Sequence, residues 1–171
     1  VARHVYRCSL RWSDMDAFGH VNNVVFLRYL EEARIDLMFR LAREDGSASF
    51  SGGSVVARHE IDYLRPLVHR HEPVIIESWV AGITAASVTI AYEIKDSEDN
   101  GSVTGTVYAR AKTLVVPYDL KAQRPRRITD EEQAFLEGFR EEGQVPAGRE
   151  GSRRGGSRGG AGSASSGALV V

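Results

Sequence analysis

Two carboxylates, one histidine and two carboxamides are packed into Asp14-Met15-Asp16-Ala17-Phe18-Gly19-His20-Val21-Asn22-Asn23. The stretch lies between an alternating run over residues 4–12 and the one long helical pattern of the chain, residues 23–43. A helix start presents unpaired backbone N–H groups and the positive end of the helix dipole. It can hold an anion, or a carbonyl that is becoming one. Asp16 falls a few residues before that start. A carboxylate facing an oxyanion site is the pairing that hydrolysis of an activated acyl group requires. The same residue types also make caps and turns. The cluster by itself therefore leaves a catalytic and a structural reading of Asp16 open.

The elements that must position this cluster follow from periodicity. Residues 4–12 alternate His4, Tyr6, Cys8, Leu10 and Trp12 against Val5, Arg7, Ser9 and Arg11, which predicts a half-buried strand with Trp12 on its apolar face. In the helix, Arg28, Glu32, Asp36, Arg40 and Arg43 form one narrow polar stripe, widened near its start by Glu31 and Arg34. Apolar side chains cover the rest, so something must wrap the helix. With one such helix and several strands, the wrapper is a curved sheet. Further strands are expected over residues 55–64, 74–81, 87–95 and 102–116. Ser97-Glu98-Asp99-Asn100-Gly101 reads as a hairpin turn, and Gly105 as a bend or bulge. Thr129-Asp130-Glu131-Glu132 reads as a capping box before a short helix. From Gly143 the chain is Gly, Ser, Ala and Arg with little else, a composition that cannot bury enough apolar surface to fold. The expected organisation is one domain over residues 1–142 and a disordered tail over 143–171. The class is α+β, with a mainly antiparallel sheet.

Bulk properties narrow the function. The chain has 171 residues, 42% hydrophobic, with a net charge of −1, which gives no electrostatic footprint for nucleic acid. One cysteine, Cys8, excludes an internal disulfide framework and fits a reducing cytoplasm. No apolar run approaches membrane-spanning length, and residues 1–7 lack the apolar core of a signal peptide.

Read as D-x-D-x-x-x-H-V-N-N, the 14–23 stretch resembles the signature of hotdog-fold thioesterases, the 4-hydroxybenzoyl-CoA thioesterase-like acyl-CoA hydrolases and their relatives that act on acyl carrier protein. The resemblance continues through Phe26 to Arg34 (FLRYLEEAR) and Ile61-Asp62-Tyr63-Leu64-Arg65-Pro66, and covers residues 4–140 in element order. It implies a hotdog fold, a curved mainly antiparallel sheet around one long buried helix. It also implies a homodimer or dimer of dimers with acyl sites between subunits, acyl-CoA as substrate, and no metal or other cofactor. By its place in the motif, Asp16 matches the carboxylate that these enzymes use as nucleophile or general base. The backbone N–H of Asn23, or of a neighbour at the helix start, would polarise the carbonyl. His20 matches a proposed catalytic histidine of plant-type acyl carrier protein thioesterases, but the benzoyl-type enzymes work without it. Gly19, Val21 and Asn22 would line the substrate site. Gly19 permits a backbone shape or a close approach, Asn22 or Asn23 caps the helix, and Arg65 would meet CoA phosphates by charge, with Arg124, Arg126 and Arg127 as further candidates.

The resemblance also separates neighbouring branches. Hotdog hydratases carry Asp-x-x-x-x-His, whereas Asp16 and His20 have three residues between them. Another branch uses a glutamate inside the helix after a His-Gly-Gly start; here Asn stands at that place, and the nearest helix acids, Glu31 and Glu32, sit in the polar stripe as a substitute. Asp14 reads as a structural partner of the loop, His69-Arg70-His71-Glu72 as a solvated turn rather than a metal cluster, and His59 as a satisfied interior or interface histidine. A non-catalytic acyl-CoA-binding hotdog protein, or hydrolysis of an acyl carrier protein thioester, remains the alternative.

Overall fold

The computed structural model describes residues 3–46, 50, 53–97 and 105–141. The expected hairpin turn at 97–101 (all but Ser97) and the Gly/Ser/Arg tail from 143 lie outside these residues. Strand β1 (His4–Cys8) leads into a 3-10 turn (Trp12–Asp14), then helix α1 (Asn23–Ile35). The helix continues without a break through a π-helical segment (Asp36–Leu41) into a last turn, α2 (Ala42–Glu44). Strands β2 (Ser54–Tyr63), β3 (Val74–Thr84), β4 (Ser87–Lys95), β5 (Val107–Asp119) and the two-residue β6 (Arg124–Pro125) follow, and α3 (Asp130–Glu137) closes the order. The strand order is β1-β3-β4-β5-β2, antiparallel throughout, with β6 added beside β5. The fold is the expected α+β arrangement, a curled sheet around one long helix, the hotdog fold.

Alternation explains the core. Val88, Ile90, Tyr92 and Ile94 of β4 are all buried, as is Ile76 on β3. They meet Phe26, Leu30, Ala33, Leu37 and Met38 of the helix in one continuous cluster. Each fully buried side chain of this size contributes roughly 1.5–3 kcal/mol relative to exposure. Thr129 and Glu132 form the capping box of α3, the threonine accepting from Glu132 N at 3.2 Å and the glutamate from Thr129 N at 2.9 Å.

Several details depart from the periodic reading. β1 ends at Cys8, and Trp12 is 76% exposed rather than inward. Its indole lies edge-on against His69, 5.5 Å between ring centres, because the chain turns into the 3-10 segment before Trp12 can join the strand. Arg34, placed in the polar stripe by spacing, is buried. Asp36, another member of the stripe, points inward to His4 Nε2 at 2.7 Å. The expected half-buried character of β2 is also absent at its start. Residues 55–60 are exposed on both faces, because β2 forms one border of the sheet and a bulge between Val56 and Arg58 turns it.

Candidate active site

The 14–23 stretch folds on itself before the helix begins. Met15 and Val21 form an antiparallel bridge, Asp16 N donates to His20 O at 2.9 Å, and Gly19 N donates to Asp16 O at 3.1 Å. This is a miniature hairpin with a turn followed by one left-handed residue. Gly19 is that residue, at φ +74, and no atom lies within 4 Å of the position a Cβ would take. Backbone shape, not crowding, therefore demands glycine. One oxygen of Asp16, Oδ1, accepts from Phe18 N at 2.9 Å and stabilises the turn. Among the described residues the other oxygen, Oδ2, has no partner.

The hairpin delivers the chain to α1. Asn22 is the N-cap: its Oδ1 accepts from Val24 N at 2.9 Å, and its backbone N–H donates to Asp14 O at 2.9 Å. That cap satisfies the second helical N–H. The first, on Asn23, is left without an acceptor among the described residues. Asn23 is held from the other side by Tyr63, whose hydroxyl donates to Asn23 O at 2.8 Å. Val21, buried, donates its N–H to Leu67 O at 2.7 Å. Strand β2 and the segment after it thus clamp the helix start. His20 is half-buried beside this junction, and its Nδ1 is buried without a hydrogen bond. Asp14 is held through Oδ2, which accepts from Tyr29 Oη at 2.5 Å and from Arg11 N at 2.9 Å. Burial and the Asp14 carboxylate both push the Tyr29 phenol well above its ordinary range, so it stays a donor. Cys8, nearby, is buried, and that burial raises its thiol to about 12, far from a nucleophile at neutral pH.

Asp16, Gly19, His20, Val21, Asn22 and Asn23 are thus gathered at one junction by local folding. Arg65 lies at the sheet end of the same clamp, between Tyr63 and Leu67, and donates its N–H to Tyr108 O at 3.2 Å. With Arg110, Leu64 and Thr106 it lines a recess of about 450 Å³. A second recess of about 370 Å³, lined by Arg7, Arg11, Arg28 and Tyr29, adjoins Asp14. Arg126, by contrast, is committed to Glu132 through two bonds of 2.9 and 2.7 Å. Among the residues at 69–72, Arg70 bonds Asp96 and Tyr108 while His69 and His71 stack edge to face. No group of three potential metal ligands occurs among the described residues. Tyr29 and Tyr63 fall within the resembling segments Phe26 to Arg34 and Ile61 to Pro66, but neither they nor Leu67 carried a signal for the roles they take here.

Residues 10–136 match the sequence profile of the thioesterase-like superfamily. The protein YsmA of Bacillus subtilis (strain 168) is 30% identical over 130 residues, covering 76% of this chain and 82% of its own. A thioesterase from Thermus thermophilus, solved in complex with coenzyme A and Zn, is 27% identical and superposes with a TM-score of 0.62, over 79% of this chain and 92% of that one. A predicted thioesterase from Bacillus stearothermophilus shares the fold at a TM-score of 0.67 and 22% identity, over 84% of this chain and all of that one. The profile spans the hairpin, the helix and every strand from β2 to β6, and with the fold around them it makes this chain a member of the thioesterase-like superfamily and a thioester hydrolase.

Proposed function

We propose that the chain hydrolyses acyl-CoA thioesters to the free acid and CoA, with Asp16 as the reacting carboxylate. The observation that carries this reading is the pairing of two unsatisfied groups at one junction: Asp16 Oδ2 and the Asn23 N–H. As general base, Asp16 takes a proton from water while the water oxygen attacks the thioester carbonyl. The carbonyl oxygen gains charge and accepts from Asn23 N–H. When it collapses, the C–S bond breaks and the CoA sulfur leaves with the proton. As nucleophile, Asp16 forms a mixed anhydride with loss of CoA thiolate, and water then cleaves the anhydride. His20 assists by positioning, while Gly19, Val21 and Asn22 shape the site. Arg65 and Arg110 on one side, and Arg7, Arg11 and Arg28 on the other, offer guanidinium groups suited to CoA phosphates. The coenzyme A bound by the Thermus relative supports this choice of carrier.

The working unit is a homodimer, or a dimer of dimers, in a cytoplasmic setting. Strand β2 supports this: it is a sheet edge with Val55 and Val56 each 40% exposed, and an open apolar edge is a surface for a second chain. The test is thiol release from a panel of acyl-CoAs by the wild type and Asp16→Asn, with circular dichroism to verify folding. The expected loss is roughly 10²–10⁴-fold in kcat. Retention of activity within a few-fold would remove Asp16 from the chemistry.

A further inference from the structure

Trp12 is the most exposed large apolar side chain among the described residues, at 76%. Tryptophan is highly buried on average in folded proteins, and neither the hairpin nor the core uses this one. Its backbone is fixed. Trp12 opens the 3-10 turn, and its carbonyl accepts from Met15 N at 3.4 Å. His69, whose ring meets the indole at 5.5 Å and 77°, stands two residues after Leu67, the acceptor for Val21 N. His71 continues the row, 5.8 Å from His69. A ring that meets another near a right angle covers at most one of its faces, so an indole this exposed keeps a face open for stacking. Both partners of the contact are tied by backbone bonds to the hairpin that carries Asp16. The result is a held aromatic surface at the border of the site.

The neighbours of this surface point to the class of ligand. Arg11, exposed and next to Trp12 in the chain, lines the recess of about 370 Å³ with Arg7 and Arg28. Arg65, exposed and four residues before His69, lines the recess of about 450 Å³ with Arg110. The Trp12–His69 contact thus joins the two segments that bring guanidinium groups to either recess. An aromatic face flanked by cations suits a planar base that carries phosphates. We propose that Trp12 stacks on the adenine ring of the CoA ester and is a binding residue for the nucleotide end of the substrate. The assignment rests on the reading of this chain as an acyl-CoA hydrolase. It also fixes the shape of the bound ester. Trp12 and Asp16 are four residues apart, which limits their Cα atoms to a separation of about 14 Å. The CoA arm therefore lies bent, with its nucleotide folded back beside the hairpin.

The test compares an acyl-CoA with the same acyl group on pantetheine, which lacks the nucleotide, and adds adenosine 3′,5′-bisphosphate as the nucleotide alone. Trp12→Leu keeps an apolar side chain without a π-face, and Trp12→Phe keeps a smaller face. On the CoA ester, Trp12→Leu should lose about tenfold in kcat/KM, carried by KM, and Trp12→Phe should recover most of that loss. On the pantetheine ester the loss should vanish. The bisphosphate should bind the full chain by calorimetry, about tenfold more weakly in Trp12→Leu, and should quench the wild-type fluorescence. Trp79, the other tryptophan, is buried beneath Arg3, so the quench reports on Trp12. Unchanged kinetics of Trp12→Leu on the CoA ester, or an equal loss on both esters, would overturn the proposal while leaving the hydrolase intact. So would a loss seen only with a thioester on acyl carrier protein, which would make the aromatic surface a protein-docking site. Absence of turnover on every ester, with the bisphosphate still bound through Trp12, would instead sink the assignment of the reaction and leave the stacking site standing.

Discussion

Gly19 and Gly46 make a controlled pair. Both have φ +74, and neither has an atom within 4 Å of a built Cβ. A methyl group at either position meets no obstacle, so the cost of alanine is confined to the backbone. Holding an L-residue in the left-handed region costs roughly 1–2 kcal/mol, and the stiffer unfolded chain of the alanine variant returns about 0.4–1 kcal/mol. The net loss is then about 1 kcal/mol at each site, or roughly 4 °C in Tm for a domain of this size. Asparagine tolerates the left-handed region, so Gly19→Asn should lose less than Gly19→Ala. The functional outcomes should diverge. Gly46 follows α2, remote from Asp16, and Gly46→Ala should keep full thioesterase activity. Gly19 closes the hairpin that aims Asp16, so strain there moves the carboxylate, and a misplacement near 1 Å costs about 10²-fold. Differential scanning fluorimetry and kcat/KM on the best ester would measure both. A Gly19→Ala variant that loses far more stability than Gly46→Ala, or keeps full activity, would refute the assignment of backbone shape as the reason for glycine.

Glu132 is 3% exposed in its side chain and satisfies both Arg126 and the α3 cap. Glu132→Ala strands a guanidinium and opens the cap, and should cost about 3 kcal/mol by urea denaturation. Cys8, with its thiol raised to about 12, should resist iodoacetamide in the native protein at pH 8 and react once urea unfolds the chain. The Asp36 carboxyl is held below its usual range by Arg40 first, with His4 adding to it against the opposing effect of burial. A depressed carboxyl stabilises the fold above its unfolded value and loses that contribution as pH falls through the folded one. The Tm gap between wild type and Asp36→Asn should therefore be constant near neutrality and close below about pH 4.

What the sequence made legible was local. The alternation over Ser87–Lys95, the capping box at Thr129 and the helix beginning at Asn23 all depend on neighbours a few residues apart, and each is found where the pattern placed it. The hairpin that collects Asp16, Gly19 and Asn22 is equally local. Contacts across the fold were not legible. Nothing in the spacing of Tyr63 foretold that its hydroxyl would hold Asn23, forty positions away. Arg34 kept the helical spacing of a surface residue, but the depth of the sheet opposite it, at Tyr92, decides its burial. Trp12 alternated correctly, yet the turn at Arg11 removed it from the strand. The openness of β2 is a property of its place at the sheet border, which strand patterning does not encode.

The π-helical segment at Asp36–Leu41 has a consequence for how this chain can change length. In a π turn each N–H reaches one residue further back than in an α-helix. The segment therefore stores about one residue more than the α-helical turn it replaces. Deleting one residue there would let the segment relax to an ordinary α-helix, with Phe26 and Leu30 before it and Ala42 after it still facing the sheet. The same deletion within Asn23–Ile35 would rotate everything beyond it by about 100° and turn the buried face to water. A single-residue deletion should thus be tolerated at this wound-out turn and not in the α-helical turns before it, so the bulge is the place where lineages of this chain can lose a residue without refolding the core.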